Sequence, residues 1–314
     1  NQLKALKRKN IVIAVSGGPD SLALAALSKT LSSEKNYKFI YVLIDHKIRK
    51  NSAEEAKRVK FLLKKNKIHL IILTNKSKIY NNVQSRARKI RYEMLRRFCK
   101  KKRSKLILTA HNLEDQVETF FIRLSRGSGL TGLSGMKPYT KLDSNIALFR
   151  PLLDVKKEFL IKISKNVFGK YFRDPSNINK KYLRTKIRKL KKPLLESGIN
   201  YDQIIKSIKN LASSKETLEN HFSDIFVKMV KIRNKKILIN VRKFNFLNNE
   251  LKMNVINKSI KILKKNYYNL RAKKVNNIIQ KLESKEFVKT SLAKCLFYLE
   301  KDNLCIKVEK NREN

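Results

Sequence analysis

Residues 11–27 read IVIAVSGGPDSLALAAL, and this stretch decides the fold. A short apolar run typical of a buried strand leads into two adjacent glycines, and a second apolar run with helix-forming residues follows them. Glycine permits a sharp turn and a close approach of the backbone to a ligand. The free N–H groups at the start of the helix would face that turn, with the positive end of the helix dipole behind them. The stretch therefore predicts a strand, a phosphate-binding turn at residues 16–21 and a helix.

The same alternation of apolar runs and helical periodicity continues through the first half of the chain. It predicts strands at 11–15, 39–44, 68–73 and 106–109, and helices at 21–30, 52–65, 83–101 and after His111. Residues 52–55, SAEE, predict a capping box at the second helix. We therefore expect an α/β fold with a doubly wound parallel sheet. Ligands of such sheets bind beyond the carboxyl ends of the strands, where the 16–21 turn, Asp45 and His111 would lie.

A second loop is singled out by its glycine content. The chain has only 8 glycines, and four of them crowd residues 127–135. In a chain that uses glycine so sparingly, this loop is expected to need close backbone approach or motion.

The pattern changes after Pro193, where helical periodicity dominates. A strand is expected at 237–241, and a hairpin at 295–300 and 304–308 with its turn at 302–303. We therefore expect a second, smaller, mainly helical α+β domain. The predicted domains are 1–197, which would carry the catalytic site, and 198–314, which would bind RNA.

The chain is strongly basic, with 74 Lys and Arg against 25 Asp and Glu and a formal net charge of +49. Such a charge predicts a polyanionic partner, and nucleic acid is the simplest one. Drift of a coding sequence toward A and T would also increase the lysine content. Part of the excess of basic over acidic residues could therefore have that origin instead. A basic helix is predicted over 180–192, with Leu183, Ile187 and Leu190 as its buried stripe and its cations, including Arg184, Arg188 and Lys189, along RNA phosphates.

Cysteine usage and hydropathy limit the remaining classes of protein. Cys99, Cys295 and Cys305 have no paired spacing, so neither a zinc ribbon nor an iron–sulfur site is indicated. Few cysteines suit a reducing compartment, and we expect a cytoplasmic protein. No apolar run is long enough to cross a bilayer, and we expect no membrane partner.

A second group of polar residues follows the fourth strand. Residues 109–119 read TAHNLEDQVET, in which Asp115 and Glu118 lie three apart on one helix face. Acidic residues are common in the first turn of a helix because of its dipole, which is the simpler interpretation. Beside a bound phosphate, however, carboxylates need a bridging cation, and this pair could hold Mg²⁺ or the ammonium of a substrate amine.

The turn at 16–21 differs from the Walker loop in spacing and resembles the pyrophosphate loop of the N-type ATP pyrophosphatases. Further motifs in the same order resemble the tRNA(Ile)-lysidine synthases over roughly residues 11 to 194. These are Asp45-His46 with Arg49 and Ser52, Arg86-Ala87-Arg88 with Arg91-Tyr92, Thr109–Thr119, Arg126–Leu130 through Met136, Arg150–Leu153, and Asp174–Asn177 before Tyr182, Arg184 and Ile187-Arg188. Two positions depart from that family: Phe172-Arg173 precede residue 174 where an aromatic residue, often Trp, is expected, and Thr185 stands where Asn is usual.

The resemblance implies an adenine nucleotide α-hydrolase-like fold, with ATP and Mg²⁺ as cofactors and free L-lysine and a tRNA(Ile) with a CAU anticodon as partners. It also allows a homodimer. The implied reaction adenylates C2 of the wobble cytidine and then replaces AMP by the ε-amine of lysine, which gives lysidine.

The resemblance also implies roles for single residues. Residues Ser16, Gly17, Gly18, Pro19, Asp20 and Ser21 would bind the pyrophosphate of ATP. Asp45 would contact a metal ion or the adenylate, His111 would touch the α-phosphate or cap its helix, and Arg91 would pair with phosphate or be exposed to solvent. Asp115, like Asp45, is a candidate metal ligand, and Asp115 and Glu118 would bind the lysine ammonium or the metal.

Other functions remain to be weighed against this one. A tRNA thiolase would use the same adenylate but needs a cysteine pair or cluster. A non-catalytic RNA-binding protein would not need the carboxylates of Asp45, Asp115 and Glu118. A synthetase that acts on a small molecule would not need the basic surface.

Overall fold

The computed structural model describes residues 10–35, 37–77, 79–80, 83–172, 183–234, 236–264, 272–284, 287 and 289–309. The motif at 174–177 and the predicted RNA contacts at 180–182 lie outside the described residues. The chain divides into two compact units, residues 1–213 and 214–314.

Unit 1 alternates strands and helices. Its strands are β1 (Asn10–Val15), β2 (Lys38–Asp45), β3 (Leu70–Thr74), β4 (Leu106–Leu108), β5 (Tyr139–Lys141) and β6 (Ala147–Phe149). Its helices are α1 (Pro19–Lys35), α2 (Ser52–Lys65), α3 (Val83–Lys101), α4 (Leu113–Leu124), α5 (Leu130–Leu133), α6 (Lys157–Phe168), α7 (Leu183–Lys189) and α8 (Lys191–Glu196), and α9 (Tyr201–Met229) begins in it.

The strands of unit 1 form one sheet in the order β3-β2-β1-β4-β6-β5, in which only the edge strand β5 is antiparallel to its neighbour. The strand order reverses between β1 and β4, so the loops that follow these two strands open into one crevice. This is the doubly wound α/β fold that the alternation predicted. The four predicted strands are present, and β5 and β6, each three residues long, are additional.

Apolar side chains of the central strand alternate between two cores. Ile11 and Ile13 pack in a core with residues of α1, α2 and α6, and Val12 packs in a second core with residues of α3. Because successive side chains of a strand point to opposite faces, a strand covered on both faces reads as the continuous apolar run seen at 11–15.

Two local predictions in unit 1 are wrong. Residues 52–55 form no capping box, because α2 begins at Ser52 itself, its N-cap is Asn51 without a side-chain cap, and Glu55 instead accepts a hydrogen bond from Arg49. The predicted basic helix breaks at Leu190 between α7 and α8. Ile187 is buried as expected, but Leu183 and Leu190 are exposed, because α7 turns its arginine face toward α4.

Unit 2 combines helices with an antiparallel sheet, which is the predicted α+β class. Its strands are β7 (Val230–Arg233), β8 (Lys236–Asn240), β9 (Thr290–Leu292), β10 (Cys295–Glu300) and β11 (Asn303–Val308), and its helices after α9 are α10 (Val241–Asn245), α11 (Asn249–Leu263) and α12 (Ala272–Glu283). The strand order is β7-β8-β11-β10-β9. The predicted hairpin is present, but Glu300 pairs with Asn303, so its turn falls at 301–302. The short strands β7 and β9 make the sheet larger than expected.

The division between the units falls within α9, further along the chain than the expected boundary at 197/198. The first turns of α9 pack on α4, where Tyr201, Ile204 and Ile208 join Leu113 and Val117 in one apolar cluster. These residues of α9 therefore belong with unit 1. None of the described helices has the length and apolar character needed to cross a bilayer.

Candidate active site

The turn after β1 requires glycine at its first bend. Gly17 has a φ of +82°, a region that side chains with a Cβ rarely adopt. A Cβ at this position would also lie 2.5 Å from Cγ2 of Val59 in α2. Gly17 is therefore explained by backbone conformation and by the close packing of α2, whereas a Cβ at Gly18 would meet only ordinary contact, with Ser16 at 3.7 Å.

Two serines and an aromatic residue hold this turn in place. Ser21 is buried, its hydroxyl donates to the carbonyl oxygen of Gly18 at 2.9 Å, and it accepts from the backbone N–H of Ser16 at 3.1 Å. The backbone N–H of Phe172 donates to the carbonyl oxygen of Gly17 at 2.9 Å. Phe172, which lies where the sequence departs from the family pattern, thus contacts the turn itself. Pro19 occupies the first position of α1, where its fixed φ and missing N–H suit a helix start.

Asp20 faces the crevice between β1 and β4, and its carboxylate has no close ion pair within the described residues. Its Oδ1 atom is buried and makes no hydrogen bond within the described residues, and Lys157 is 3.8 Å from its Oδ2 atom. Burial raises the pKa of Asp20 to about 6, Lys157 opposes that shift, and Asp115 adds to it by repulsion. A cation between the two carboxylates would relieve this repulsion.

The start of α4 forms the opposite wall of this crevice. Asn112 is its N-cap and exchanges hydrogen bonds with Asp115, in the capping box that sequence placed at α2 instead. His111 precedes the cap, and its Nδ1 atom lies 2.9 Å from the hydroxyl of Thr109. Burial lowers the pKa of His111 to about 4, so the imidazole is neutral near pH 7.

Glu118, one turn further along α4, is already paired within the protein. Only 3% of it is exposed, and its Oε1 and Oε2 atoms lie 2.5 Å and 2.8 Å from Nε of Arg188 and Nε of Arg184. Burial raises the pKa of Glu118, but these two guanidinium groups oppose the shift and stabilise the carboxylate. Both arginines, predicted to contact RNA, thus face α4, while Lys189 is exposed.

Asp45 and its neighbours form a separate group at the end of β2. Oδ1 of Asp45 accepts a hydrogen bond from the backbone N–H of Lys47 at 2.9 Å, as a turn aspartate does. Both ring nitrogens of His46 are buried and unpaired within the described residues. Burial, with help from nearby Arg91, lowers the pKa of His46 to about 4. Asp115 repels the carboxylates of both Asp20 and Glu118.

The glycine-rich loop is fastened to α4 by two side chains of that helix, Gln116 and Arg123, of which Gln116 is buried. The side-chain amide of Gln116 donates to the carbonyl oxygen of Met136 at 3.0 Å and accepts from its N–H at 2.7 Å. Arg123 donates to the carbonyl oxygens of Gly132 and Gly135 at 2.6 and 3.0 Å. Gly135 has a φ of +71°, and a Cβ there would lie 2.7 Å from Ile208. The loop is therefore held against the same helix that carries Asp115.

Sequence reasoning missed Glu114. Its Oε2 atom accepts the backbone N–H of Lys157 at 2.9 Å, which caps α6 from outside that helix. Glu114 lies in the 109–119 segment, next to the candidate residue Asp115, so it could have been considered. Its contact with Lys157, 43 positions away, cannot be predicted from sequence spacing.

No group of three or more His, Cys, Asp or Glu side chains within the described residues could hold a metal ion by itself. This fits Mg²⁺, which proteins commonly bind through one or two carboxylates together with substrate phosphates. Asp20 and Asp115, beside the phosphate-binding turn, are the residues suited to that role.

The comparisons with known proteins agree with this geometry. A sequence model of the PP-loop domain family matches residues 1–194. The chain is 34% identical over 241 residues to the tRNA(Ile)-lysidine synthase of Orientia tsutsugamushi, a match that covers 74% of this chain and 54% of that protein. It is 30% identical over 313 residues to the tRNA(Ile)-lysidine synthase of Wolbachia pipientis wMel, which covers 98% of this chain and 72% of that protein. The chain thus spans between about half and three quarters of these relatives.

Among solved structures, a U34-tRNA thiolase from Methanococcus maripaludis superposes with a TM-score of 0.56 at 20% identity, over 67% of this chain and 74% of that one. At this identity the likeness shows the shared fold alone. The match to the PP-loop domain and the relatives of known name together show that this chain is a member of the tRNA(Ile)-lysidine synthase family.

Proposed function

We propose that this chain joins free lysine to C2 of the wobble cytidine of a tRNA(Ile) with a CAU anticodon, with ATP converted to AMP and pyrophosphate. The observation that carries the proposal is the crevice between β1 and β4. The turn at 16–21 forms one of its walls, and Asp20, whose Oδ1 atom has no hydrogen-bond partner within the described residues, interacts with Asp115 on the other. Such a crevice combines a place for a triphosphate with a place for cations.

In the first step, the C2 carbonyl oxygen of the cytidine attacks the α-phosphorus of ATP and the bond to pyrophosphate breaks. The departing pyrophosphate gains negative charge, which the N–H groups of residues 16–21 and the start of α1 offset. Asp20 and Asp115 would hold Mg²⁺ together with the phosphates, and the ion would supply further charge stabilisation. Neutral His111, at the mouth of the same crevice, donates or accepts a hydrogen bond at the α-phosphate without adding charge.

In the second step, the ε-amine of lysine attacks C2, the C2–O bond breaks and AMP leaves. Asp115 attracts the ammonium form of lysine and accepts the proton that the attacking nitrogen must lose. Glu118 holds Arg184 and Arg188 against α4, because its charge is already matched by two guanidinium groups. Asp45 and His46 lie at the end of the neighbouring strand β2, with Arg91 of α3 close to His46, and the three contact the adenylate.

The RNA contacts in this proposal come from exposed cations. Lys189 at the end of α7 remains available to a phosphate, whereas Arg184 and Arg188 reach RNA only if their pairing with Glu118 changes. We place the reaction in the cytoplasm, where the tRNA substrate occurs and where free thiols stay reduced.

The direct test of the proposed function supplies the protein with ATP labelled in the α-phosphate, labelled lysine and a tRNA(Ile) transcript with a CAU anticodon. We expect AMP release that depends on the tRNA and lysine label that precipitates with the RNA. A transcript with a UAU anticodon is the matched control, because it lacks the wobble cytidine. Sulfur transfer from a donor, without lysine label, would support the thiolase.

The thiolase alternative is disfavoured by the state of the cysteines. Cys99, Cys295 and Cys305 are all free and buried. Burial raises the pKa of Cys99 and of Cys305 to about 11, so neither thiol carries the thiolate that sulfur chemistry requires.

Substitution Asp115→Asn tests the acidic lining. It keeps an oxygen that can cap Asn112 but removes the charge, and we expect lysine transfer to fall by at least about 100-fold, with tRNA affinity nearly unchanged. Asp202→Asn is the control, because Asp202 is exposed and its ion pair within the described residues is with Lys156, at 2.9 Å. Activity of Asp115→Asn within a few-fold of the control would remove Asp115 from the mechanism.

A further inference from the structure

The turn that joins α10 to α11 carries the most exposed large apolar side chain in the described residues. Phe246 is 92% exposed, whereas Phe244, two positions earlier, is 1% exposed and packs in the core of unit 2. Arg242 and Lys243 are exposed on the same short segment. We call Arg242, Lys243 and Phe246 the Phe246 corner.

The Phe246 corner is rigidly held. The side chain of Asn240 accepts the backbone N–H of Lys243 at 3.0 Å, and that of Asn248 accepts the N–H of Leu251 at 2.9 Å, so both helices that meet here are capped. Leu247 N–H donates to the carbonyl oxygen of Phe244 at 3.1 Å. With Phe244 anchored in the core, the backbone that carries Phe246 is held in place, which lowers the entropy cost of binding.

The positive charge around the Phe246 corner indicates which kind of partner it would bind. In residues 214–314, Lys and Arg outnumber Asp and Glu by 24 to 10. An aromatic face beside cations, on a surface of positive charge, has the composition of a site for an unpaired nucleotide, in which the ring stacks on a base and the cations bind its phosphates.

A polar cavity of about 240 Å³ begins next to the corner, at Asn249 in the first turn of α11. Asn276 lines it, and the Oδ1 atom of Asn276 is buried and has no hydrogen-bond partner within the described residues. Lys252, which also lines it, is buried and pairs with Glu283 at 2.6 Å. Amide groups such as that of Asn276 pair with the edges of bases. Asn249 is three residues from Phe246, so a nucleotide beside a stacked base is within reach of this cavity.

From the Phe246 corner we infer a stacking site for an unpaired nucleotide of the tRNA, separate from the crevice where the chemistry occurs. The inference rests on the proposed function, because that function supplies the RNA. The Phe246 ring contributes affinity that does not depend on salt, and Arg242 and Lys243 contribute affinity that does.

The test compares variants in their affinity for the CAU transcript over a range of salt concentrations. Loss of one stacked base lowers affinity by about 5- to 150-fold, so we expect Phe246→Ala to weaken binding within that range and leave the salt dependence unchanged. Phe246→Trp should retain affinity. Lys243→Gln should instead reduce the slope of log affinity against log salt by about one unit. Val227→Ala is the control, because Val227 is also exposed, at 76%, but is aliphatic.

Equal affinities of Phe246→Ala and the unaltered chain would overturn the inference, as would an equal loss in Val227→Ala. A change in sedimentation of Phe246→Ala with unchanged tRNA affinity would also overturn it and assign the corner to a second copy of this chain. Failure of the proposed function looks different, because the unaltered chain would then transfer no lysine to the transcript. If the inference holds, Phe246→Ala transfers lysine at the normal rate once the tRNA is saturating.

Discussion

The turn after β1 and the contact between α4 and α7 both bury a carboxylate, and they treat it in opposite ways. Asp20 in the turn keeps an unpaired oxygen and has a pKa raised to about 6 by burial. Glu118 in the helix contact is more deeply buried but has two guanidinium groups within 2.8 Å. The charge of Glu118 is matched by neighbouring arginines, whereas the charge of Asp20 is only partly matched within the described residues and could be completed by a bound cation.

This comparison changes how the acidic residues of α4 are interpreted. From spacing alone, Asp115 and Glu118 were equivalent, since they lie three apart on one helix face. In the structure Asp115 interacts with Asp20 and lies 3.9 Å from Arg184, whereas Glu118 pairs closely with both Arg184 and Arg188. The partner of a carboxylate, rather than its position on a helix, therefore distinguishes a binding group from a structural one.

The largest expected effect comes from breaking the matched pair. Arg188→Met leaves Glu118 buried with one partner fewer, and removal of one member of a buried ion pair costs about 3 to 5 kcal/mol of unfolding free energy. Denaturant unfolding measures this loss. Arg58→Met is the control, because Arg58 pairs with Glu54 at the surface and exposed pairs contribute at most about 1 kcal/mol. The double variant Arg188→Met with Glu118→Gln should recover part of the lost stability. A loss in Arg188→Met no larger than that in Arg58→Met would show that Arg188 does not match the charge of Glu118.

The next effect comes from the backbone of the turn. Gly17→Ala adds a Cβ that overlaps Val59 and forces alanine into a left-handed conformation, so we expect a loss of about 2 to 5 kcal/mol in stability together with loss of ATP binding. Gly169→Ala is the matched control, because Gly169 has a φ of +72° but no atom within 4 Å of its Cβ position. The control should lose only about 1 to 2 kcal/mol and keep ATP affinity. ATP binding by Gly17→Ala at normal affinity would place the nucleotide away from this turn.

The smallest expected effect is the pH dependence of Asp20. Its folded-state pKa of about 6 lies above its ordinary value of 3.8, so the folded protein binds this proton more tightly than the unfolded chain does. Stability is therefore lost as pH rises from about 4 to about 6, by about 2 kcal/mol after allowance for partial exposure. Thermal unfolding over this range should show the loss in the unaltered chain and not in Asp20→Asn. Mg²⁺ with ATP should move the transition to lower pH, because a cation favours the ionised form.

Much of unit 1 was predictable from sequence for a physical reason. Strands covered on both faces are continuous apolar runs, so β1 and β2 were found nearly to the residue, and the glycine pair at Gly17 marked the turn. The strands β5 and β6 were missed, and each has only three residues; β4 is equally short, but its apolar run was recognised. In unit 2, β7 with four residues and β9 with three were also missed.

The pairing of α4 with α7 was beyond sequence reasoning, although traces of it were present. Arg184 and Arg188 lie four apart and so share one helix face, which is the spacing that matches two carboxylates on a facing helix. A basic segment is equally well explained by a solvated or RNA-binding face, and only the fold brings Arg188 to Glu118, 70 positions away. Because the contact between α4 and α7 was not known from sequence, Leu183 and Leu190 were predicted to lie on the buried face.

The central claim is that the crevice between β1 and β4 holds the triphosphate and a cation between Asp20 and Asp115. The most direct test is a crystal structure of this chain with Mg²⁺ and a non-hydrolysable ATP analogue. We predict β- and γ-phosphates against the N–H groups of residues 16–21 and a metal ion in contact with a carboxylate oxygen of Asp20 or Asp115. Phosphates bound elsewhere, or a metal ion remote from both aspartates, would contradict the account.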